Sequence, residues 1–517
     1  MVFNSLSRNL KLVGGKILLL LITLCLVLKS SGQTIDRNDL LKYKTWPRYG
    51  SIVQFYELNN FLFVWWNDLG SQKDIIDLIQ LSNAFGLNKT DYQYQFLDSY
   101  ASEKFISTKV DSFDIEIKCT DAAIHFFTEL KHGNRTPSFK YNGLTYDPVS
   151  KDNILTEILS HLKKRTLRTL LFEVQPETRE YQSILSRLNK FQKIVSEDGF
   201  RDAEITSLTA NLSNKPLLLR LYQLGITDSA IKSIEKKTLT AKIIEAKKLF
   251  DLLSDGVLTN TVLYVFNIPL RKRIEELKSA LNYLRWIEQI RQTSVLLLNI
   301  PSAYLMVYEN GKIILDSKVV VGKPATPTPT LTSTITEVIL YPYWNVPNKI
   351  ATREILPSIK RDIGFLNRGN YQVLNSQGKV VDPYKINWHS LSTSYFPYTI
   401  RQSTGCDNAL GIVKFNFYNP FTVYLHDTPY KGLFSFNKRY FSHGCMRVDN
   451  YLELAHFLLG RNRKAIDTLT AKGCLYQQAP KPVPVERDLP IIILYSTVWY
   501  NKEGVIKFYD DVYRYLN

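Results

Sequence analysis

The chain has 517 residues, room for about two to four domains, and its 65 Lys and Arg outnumber 48 Asp and Glu for a formal net charge of +17. That balance suits acidic polymers or membrane surfaces. No Lys/Arg-rich run is interleaved with aromatics, so nucleic acid is not the expected partner. Five cysteines in so long a chain are no disulfide framework.

Residues 1–33 read as an export signal. Arg8, Lys11 and Lys16 form a basic start, Ile17 to Leu28 a short apolar run, and Ser30-Ser-Gly32 a small-residue cleavage site. An uncleaved anchor is the alternative, although the run is short for a span of about 20 residues. Cys25 follows Leu24 rather than a small residue, which argues against lipoprotein processing. Cleavage leaves Cys119, Cys406, Cys445 and Cys474. Cys406 and Cys474 are expected as buried thiols, with a bridge left open.

Residues 34–205 predict a helical scaffold domain. Phe55-Tyr56, Trp65-Trp66 and Ile75 to Ile79 fit short amphipathic helices, and Ser82 to Leu87 ends one on Gly86. Thr120-Asp121 is an N-cap candidate for a helix Ala122–Lys131 closed by Gly133. Tyr181 to Ile194 and Leu217 to Leu224 carry apolar residues at helical spacing. Residues 206–293 predict a small helical module followed by a connector helix, Arg271 to Gln292.

A mainly β domain is expected over 294–475. Leu296 to Asn299, Tyr304 to Tyr308 and Ile313 to Val321 read as strands, with Glu309-Asn-Gly-Lys312 as a hairpin turn. Residues 348–400 form an insertion with a helix signal at Glu354 to Lys360, a turn at Asn375 to Gly378, the aromatics Trp388, Tyr395, Phe396 and Tyr398, and His389. A long insertion between strands is more often a lid or binding loop than an accident. Asn450 to Leu459 predicts a helix. Pro480 to Pro484 reads as a linker, and residues 476–517 as a terminal hairpin packed on the domain.

The chemistry concentrates in Tyr424-Leu-His-Asp-Thr-Pro429 and Phe441-Ser-His-Gly-Cys-Met-Arg-Val448. His426 ends an apolar strand and Cys445 opens the next element, a plausible base and nucleophile, since a thiol gains reactivity beside a base or a positive charge. Arg447 adds that charge. The backbone of His443, Gly444 and Cys445 is placed for a developing oxyanion. A buried structural cysteine is the bland alternative. A zinc site from His426, His443 and Cys445 lacks a second cysteine at ligand spacing.

Fifteen residues separate His426 from Ser442. With Leu433-Phe434 and Arg439 to Arg447 this resembles the signature of the L,D-transpeptidases, the YkuD-type cysteine enzymes of bacterial cell walls. Asn299-Ile-Pro, Val321-Gly-Lys-Pro, Trp344-Asn-Val-Pro347 and Asn408-Ala-Leu-Gly411 recur there in this order, with Thr404 standing where the family commonly has proline. Phe55-Tyr56, Gly86-Leu87 and Thr120-Asp-Ala122 are similar to the N-terminal region of its larger members. Leu219 to Gly225, Asp255-Gly256 and Phe266-Asn267 resemble a degenerate peptidoglycan-binding module, with Thr259 in place of a glycine.

The resemblance implies an α+β chain: a helical N-terminal half and a mainly β catalytic domain whose insertion caps the active site. It implies no metal or organic cofactor, an exported protein of the periplasm or cell envelope, and peptidoglycan stem peptides as partners. Membrane contact would be only through an N-terminal anchor. Cys445 is the implied nucleophile on a tetrapeptide donor and His426 the base; His443 and Gly444 shape the oxyanion site, and Arg447 and Ser442 contact substrate. The product is a 3→3 cross-link. The alternatives are an L,D-carboxypeptidase at the same site and a non-catalytic wall-binding scaffold. Carbapenem-type β-lactams are the implied covalent inhibitors.

Overall fold

The computed structural model describes residues 34–66, 68–103, 112–146, 152–211, 214–229, 235–472 and 478–516. The expected export segment and Cys474 lie outside these. The chain divides into two compact units, residues 1–134 with 149–175, and residues 135–148 with 176–517.

The first unit is helical: α1 (Tyr49–Leu58), α2 (Leu69–Gln80), α3 (Tyr94–Glu103), α4 (Ser112–His132), α5 (Ile154–Lys164) and α6 (Leu167–Glu173). They bury Ile52, Phe55, Trp65, Ile75, Ile79, Phe126 and Ile158 in one core. Thr120 and Asp121 do not start a helix, because α4 runs through them. Their side chains serve tertiary partners instead of caps: Thr120 bonds Tyr56 and Trp65, and Asp121 pairs with Arg48 at 2.8 Å. One turn earlier, buried Glu116 accepts the backbone N–H groups of Val64, Trp65 and Trp66. A buried carboxylate needs such donors to offset lost hydration.

The second unit joins a helical layer to a sheet. Its helices are α7 (Arg179–Val195), α8 (Lys215–Gln223), α9 (Lys236–Leu249), α10 (Asn260–Phe266) and α11 (Leu270–Arg291). α7 was expected with the scaffold, in a domain reaching residue 205. It is tied to α11 instead, through Arg285 to the Tyr181 hydroxyl at 2.7 Å and Arg291 to Glu180 at 2.5 Å. Thr259 caps α10 by accepting from Val262 N, a local reason for threonine at that position.

The sheet runs through β1 (Tyr141–Asn142), β2 (Val295–Asn299), β3 (Tyr304–Glu309), β4 (Lys312–Gly322), β5 (Leu331–Leu340), β10 (Val413–Phe417), β11 (Leu425–His426), β12 (Tyr440–Ser442), β13 (Met446–Val448) and β14 (Lys481–Leu494). The strand order β5-β10-β11-β13-β4-β3-β2-β14 closes, because β14 also pairs with β5. β2 is apolar from Val295 to Leu298 because both of its faces are buried: Leu296 and Leu298 face the core shared with helix Tyr451–Leu459, while Val295 and Leu297 face the core shared with α11.

The stretch Pro480–Pro484, expected as a linker, lies mostly within β14. Lys481 to Pro484 pair with Leu340 to Glu337. The spacing of Pro482 and Pro484 puts both missing N–H groups on one edge, so the other edge keeps its ladder. The C-terminal segment is therefore part of the barrel-like sheet as well as a hairpin, β15 (Val498–Tyr500) with β16 (Ile506–Phe508).

The insertion has its own core of Ile355, Leu356, Ile359, Val373, Trp388 and Ile400, over a small sheet ordered β6 (Trp344–Asn345), β9 (Thr399–Gln402), β7 (Tyr371–Leu374), β8 (Val380–Val381). Cys406, just after it, is disulfide-bonded, one of the two states the sequence left open.

Candidate active site

Three neighbouring strands build the site. Lys414 on β10 stands in register with His426 on β11, and His426 with Arg447 on β13. Alternate residues of a strand face opposite ways. Leu425, Met446, Val413 and Phe415 therefore enter the apolar core, and Lys414, Tyr424, His426, Cys445 and Arg447 share the other face. Cys445 lies beside Tyr424, whose carbonyl accepts Met446 N at 3.0 Å.

His426 is buried, and its Nδ1 lies 2.5 Å from the backbone carbonyl of Asp427. That contact makes Nδ1 the protonated nitrogen and leaves Nε2 as the acceptor. Burial, then Arg447, then Lys414 push the imidazole down to about 3, against the pull of the Asp427 carbonyl. The Asp427 carboxylate is engaged elsewhere: it accepts Ile412 N at 3.0 Å and Thr428 N at 2.6 Å, and pairs with Lys431 at 2.5 Å.

Cys445 is a free, half-buried thiol. Burial pushes it up, opposed by hydrogen bonding from Tyr424 and by the charges of Lys414 and Arg447. Burial, then the neighbouring Cys445, hold the Tyr424 hydroxyl well above its usual range, and Trp344 at the root of the insertion pulls it back. The Lys414 ammonium sits 4.1 Å over the Tyr424 ring. Lys414, Tyr424 and Trp344 come from three segments, and their convergence was not visible in the sequence. The signals available were a lysine on the polar face of a strand and a tyrosine two residues before the histidine.

The remaining expected residues divide. Arg447 is half-buried, with its Nε buried and unbonded, and it pairs with no carboxylate among the described residues. Ser442 was expected to touch substrate, yet it is buried and closes its own turn, donating to Cys445 O at 2.5 Å and accepting Gly444 N at 3.2 Å. Gly444 has φ +115, a conformation open to glycine but not to other residues, and Thr328 fixes its carbonyl at 2.8 Å. His443 points outward to Glu354 of the insertion at 2.8 Å. It does not converge with His426 and Cys445, and no metal-binding group of three is found among the described residues.

The L,D-transpeptidase catalytic-domain family of the YkuD type matches residues 293–485, and a scaffold-domain family matches residues 50–188. A Haemophilus influenzae protein that carries the L,D-transpeptidase name is 38% identical over 218 residues, 42% of this chain; the chain spans 43% of that relative's length. Solved structures that match parts of the chain include an L,D-transpeptidase from Mycobacterium smegmatis, 15% identical with TM-score 0.18 over 39% of this chain and 58% of that one. An Enterococcus faecium L,D-transpeptidase mutant is 12% identical with TM-score 0.19 over 44% and 65%.

Proposed function

We propose that this chain, whose residues 293–485 match the YkuD-type L,D-transpeptidase catalytic-domain family and residues 50–188 a scaffold-domain family, forms 3→3 cross-links in peptidoglycan through a thioester on Cys445. The observation that carries this reading is the shared face of Cys445, Tyr424 and His426 beside the unpaired Arg447.

The Cys445 sulfur attacks the carbonyl of the third, diamino-acid residue of a tetrapeptide stem, and its proton passes to His426 Nε2. The backbone N–H groups of His443 and Cys445 and the Tyr424 hydroxyl face the oxyanion, the Gly444 N–H being held by Ser442; one such donor typically lowers the barrier by about 2.7–4 kcal/mol. The C–N bond to the terminal D-alanine breaks as His426 returns the proton to the leaving amine. A side-chain amine of a second stem then attacks the thioester, again giving its proton to His426, which restores the thiol. Arg447 suits a donor carboxylate, which its planar fork can hold by two bonds.

Before attack both partners are neutral, a thiol pushed up and an imidazole pushed down. The thiolate is thus made in the reaction rather than stored. The insertion, residues 348–400, covers the donor stem. The disulfide at Cys406 supports an oxidising compartment, in keeping with an exported protein. N-terminal sequencing tests the export reading: a start near Gln33 supports it, and a retained Met1 on membrane-bound protein contradicts it.

Product analysis tests the reaction. Purified protein with a tetrapeptide stem and an acceptor stem should give 3→3 dimers and free D-alanine. Tripeptide alone, with the acceptor present, would assign it as an L,D-carboxypeptidase.

A further inference from the structure

We infer that Glu354 is a positioning residue of this site: its hydrogen bond with His443 holds the insertion against the turn that carries Cys445. The inference rests on the proposed reaction only for its substrate.

Glu354 lies on a π-helical turn, Ala351–Ile355, followed by helix Leu356–Arg361. Pro357 has no N–H to donate back into that turn, and such widened turns are frequent at functional sites. The Glu354 Oε1 to His443 Nε2 distance is 2.8 Å, and Lys323 Nζ lies 3.4 Å from the same nitrogen. One nitrogen cannot donate to a carboxylate and accept from an ammonium at once. The shorter contact sets the arrangement: His443 Nε2 donates to Glu354, and Lys323 is a neighbouring charge.

The turn His443-Gly444-Cys445 needs tethers, since Gly444 has φ +115. Its other fixed points come from the sheet domain: Lys323 N to Ser442 O at 3.0 Å, Thr326 to Ser442 O at 3.1 Å and Thr328 to Gly444 O at 2.8 Å. Glu354 supplies one from the insertion. The insertion packs on a core of its own, so a side-chain contact of this kind couples its position to the reacting thiol.

Glu354→Ala and Glu354→Gln separate this from a solubilising surface charge. Gln keeps an acceptor for the Nε2–H; Ala does not. With a tetrapeptide donor, Ala should raise KM about fivefold at nearly constant kcat, and Gln should restore most of the loss. Alkylation of Cys445 by iodoacetamide should stay within about twofold of wild type, because the thiol's own neighbours are untouched. Glu354→Ala with His443→Gln should cost no more than the larger single effect. Amide exchange over residues 351–361 of the unliganded protein should quicken in the Ala variant, a readout independent of any substrate. Unchanged KM with unchanged exchange, equal loss in the Ala and Gln variants, or full additivity with His443→Gln would overturn the inference. If wild type does not use the tetrapeptide, the proposed reaction fails, while the exchange experiment still decides the role of Glu354.

Discussion

His426 and Arg447 stand opposite one another on adjacent parallel strands, and Lys414 stands opposite His426 on its other side. A buried imidazole between two cations resists a proton, which is why it sits at about 3. The same cations oppose the rise of the Cys445 thiol. One row of side chains therefore keeps the base free to accept a proton and the nucleophile within reach of ionisation.

Acylation of Cys445 should show no inflection near 6.5, because His426 is already neutral well below that pH. The second-order rate should be level from about pH 5 to 8 and rise beyond, as the thiol ionises unaided. His426→Gln should lower it by about 10²–10⁴-fold near neutrality and recover in part at high pH. His443→Gln should cost activity without that recovery. Stopped-flow acylation across pH measures this; a wild-type inflection between 6 and 7 would show that the imidazole titrates normally.

Arg447→Ala removes the second-largest cause of the depressed imidazole. The His426 titration followed by NMR should move upward while remaining below 6.5, since burial persists. KM for the donor should rise about tenfold or more, as expected when a buried charge pair to substrate is lost. An unmoved titration with unchanged KM would place the guanidinium away from both groups.

Folding stability should fall as pH drops from about 6.5 toward 3. In that window the unfolded chain protonates His426 and the folded chain does not, so the unfolded state binds more protons and stability rises with pH. The slope from this one group is at most about 1.4 kcal/mol per pH unit. Urea unfolding of the wild type and His426→Gln at pH 4.5 and 7 should show the smaller acid loss in the variant.

A Cβ at Gly411 would lie 2.2 Å from Asp427 Oδ2, and Gly411 has φ +62. Gly411→Ala should displace the carboxylate that anchors Ile412 and Thr428, and with it the carbonyl that orients His426. A loss of about 1–3 kcal/mol is expected, with acylation slowed more than alkylation by a small reagent. Unchanged stability would mean that the Asp427 side chain can move aside freely.

Much of this was legible in the sequence because it is local. The signature places His426 and Cys445 by spacing, and the β2–β4 hairpins follow apolar runs and an Asn-Gly turn. What was not legible depends on chain-distant partners. Thr120 and Asp121 look like a cap until Tyr56, Trp65 and Arg48 engage them. Pro482 and Pro484 look like a linker until β5 pairs alongside. Lys414 carries no local pattern, and Trp344 and Glu354 show only a family motif and a helix signal; all three take their place at the site only where their strands or turns meet Tyr424 and His443.

Intact-mass analysis after exposure to a carbapenem tests the role of Cys445 most directly. The account predicts one covalent adduct of the drug's mass on the wild-type protein and none on Cys445→Ala, with the variant still folded by circular dichroism. An adduct on the alanine variant, or a wild-type protein that stays unmodified while its thiol reacts with iodoacetamide, would contradict it.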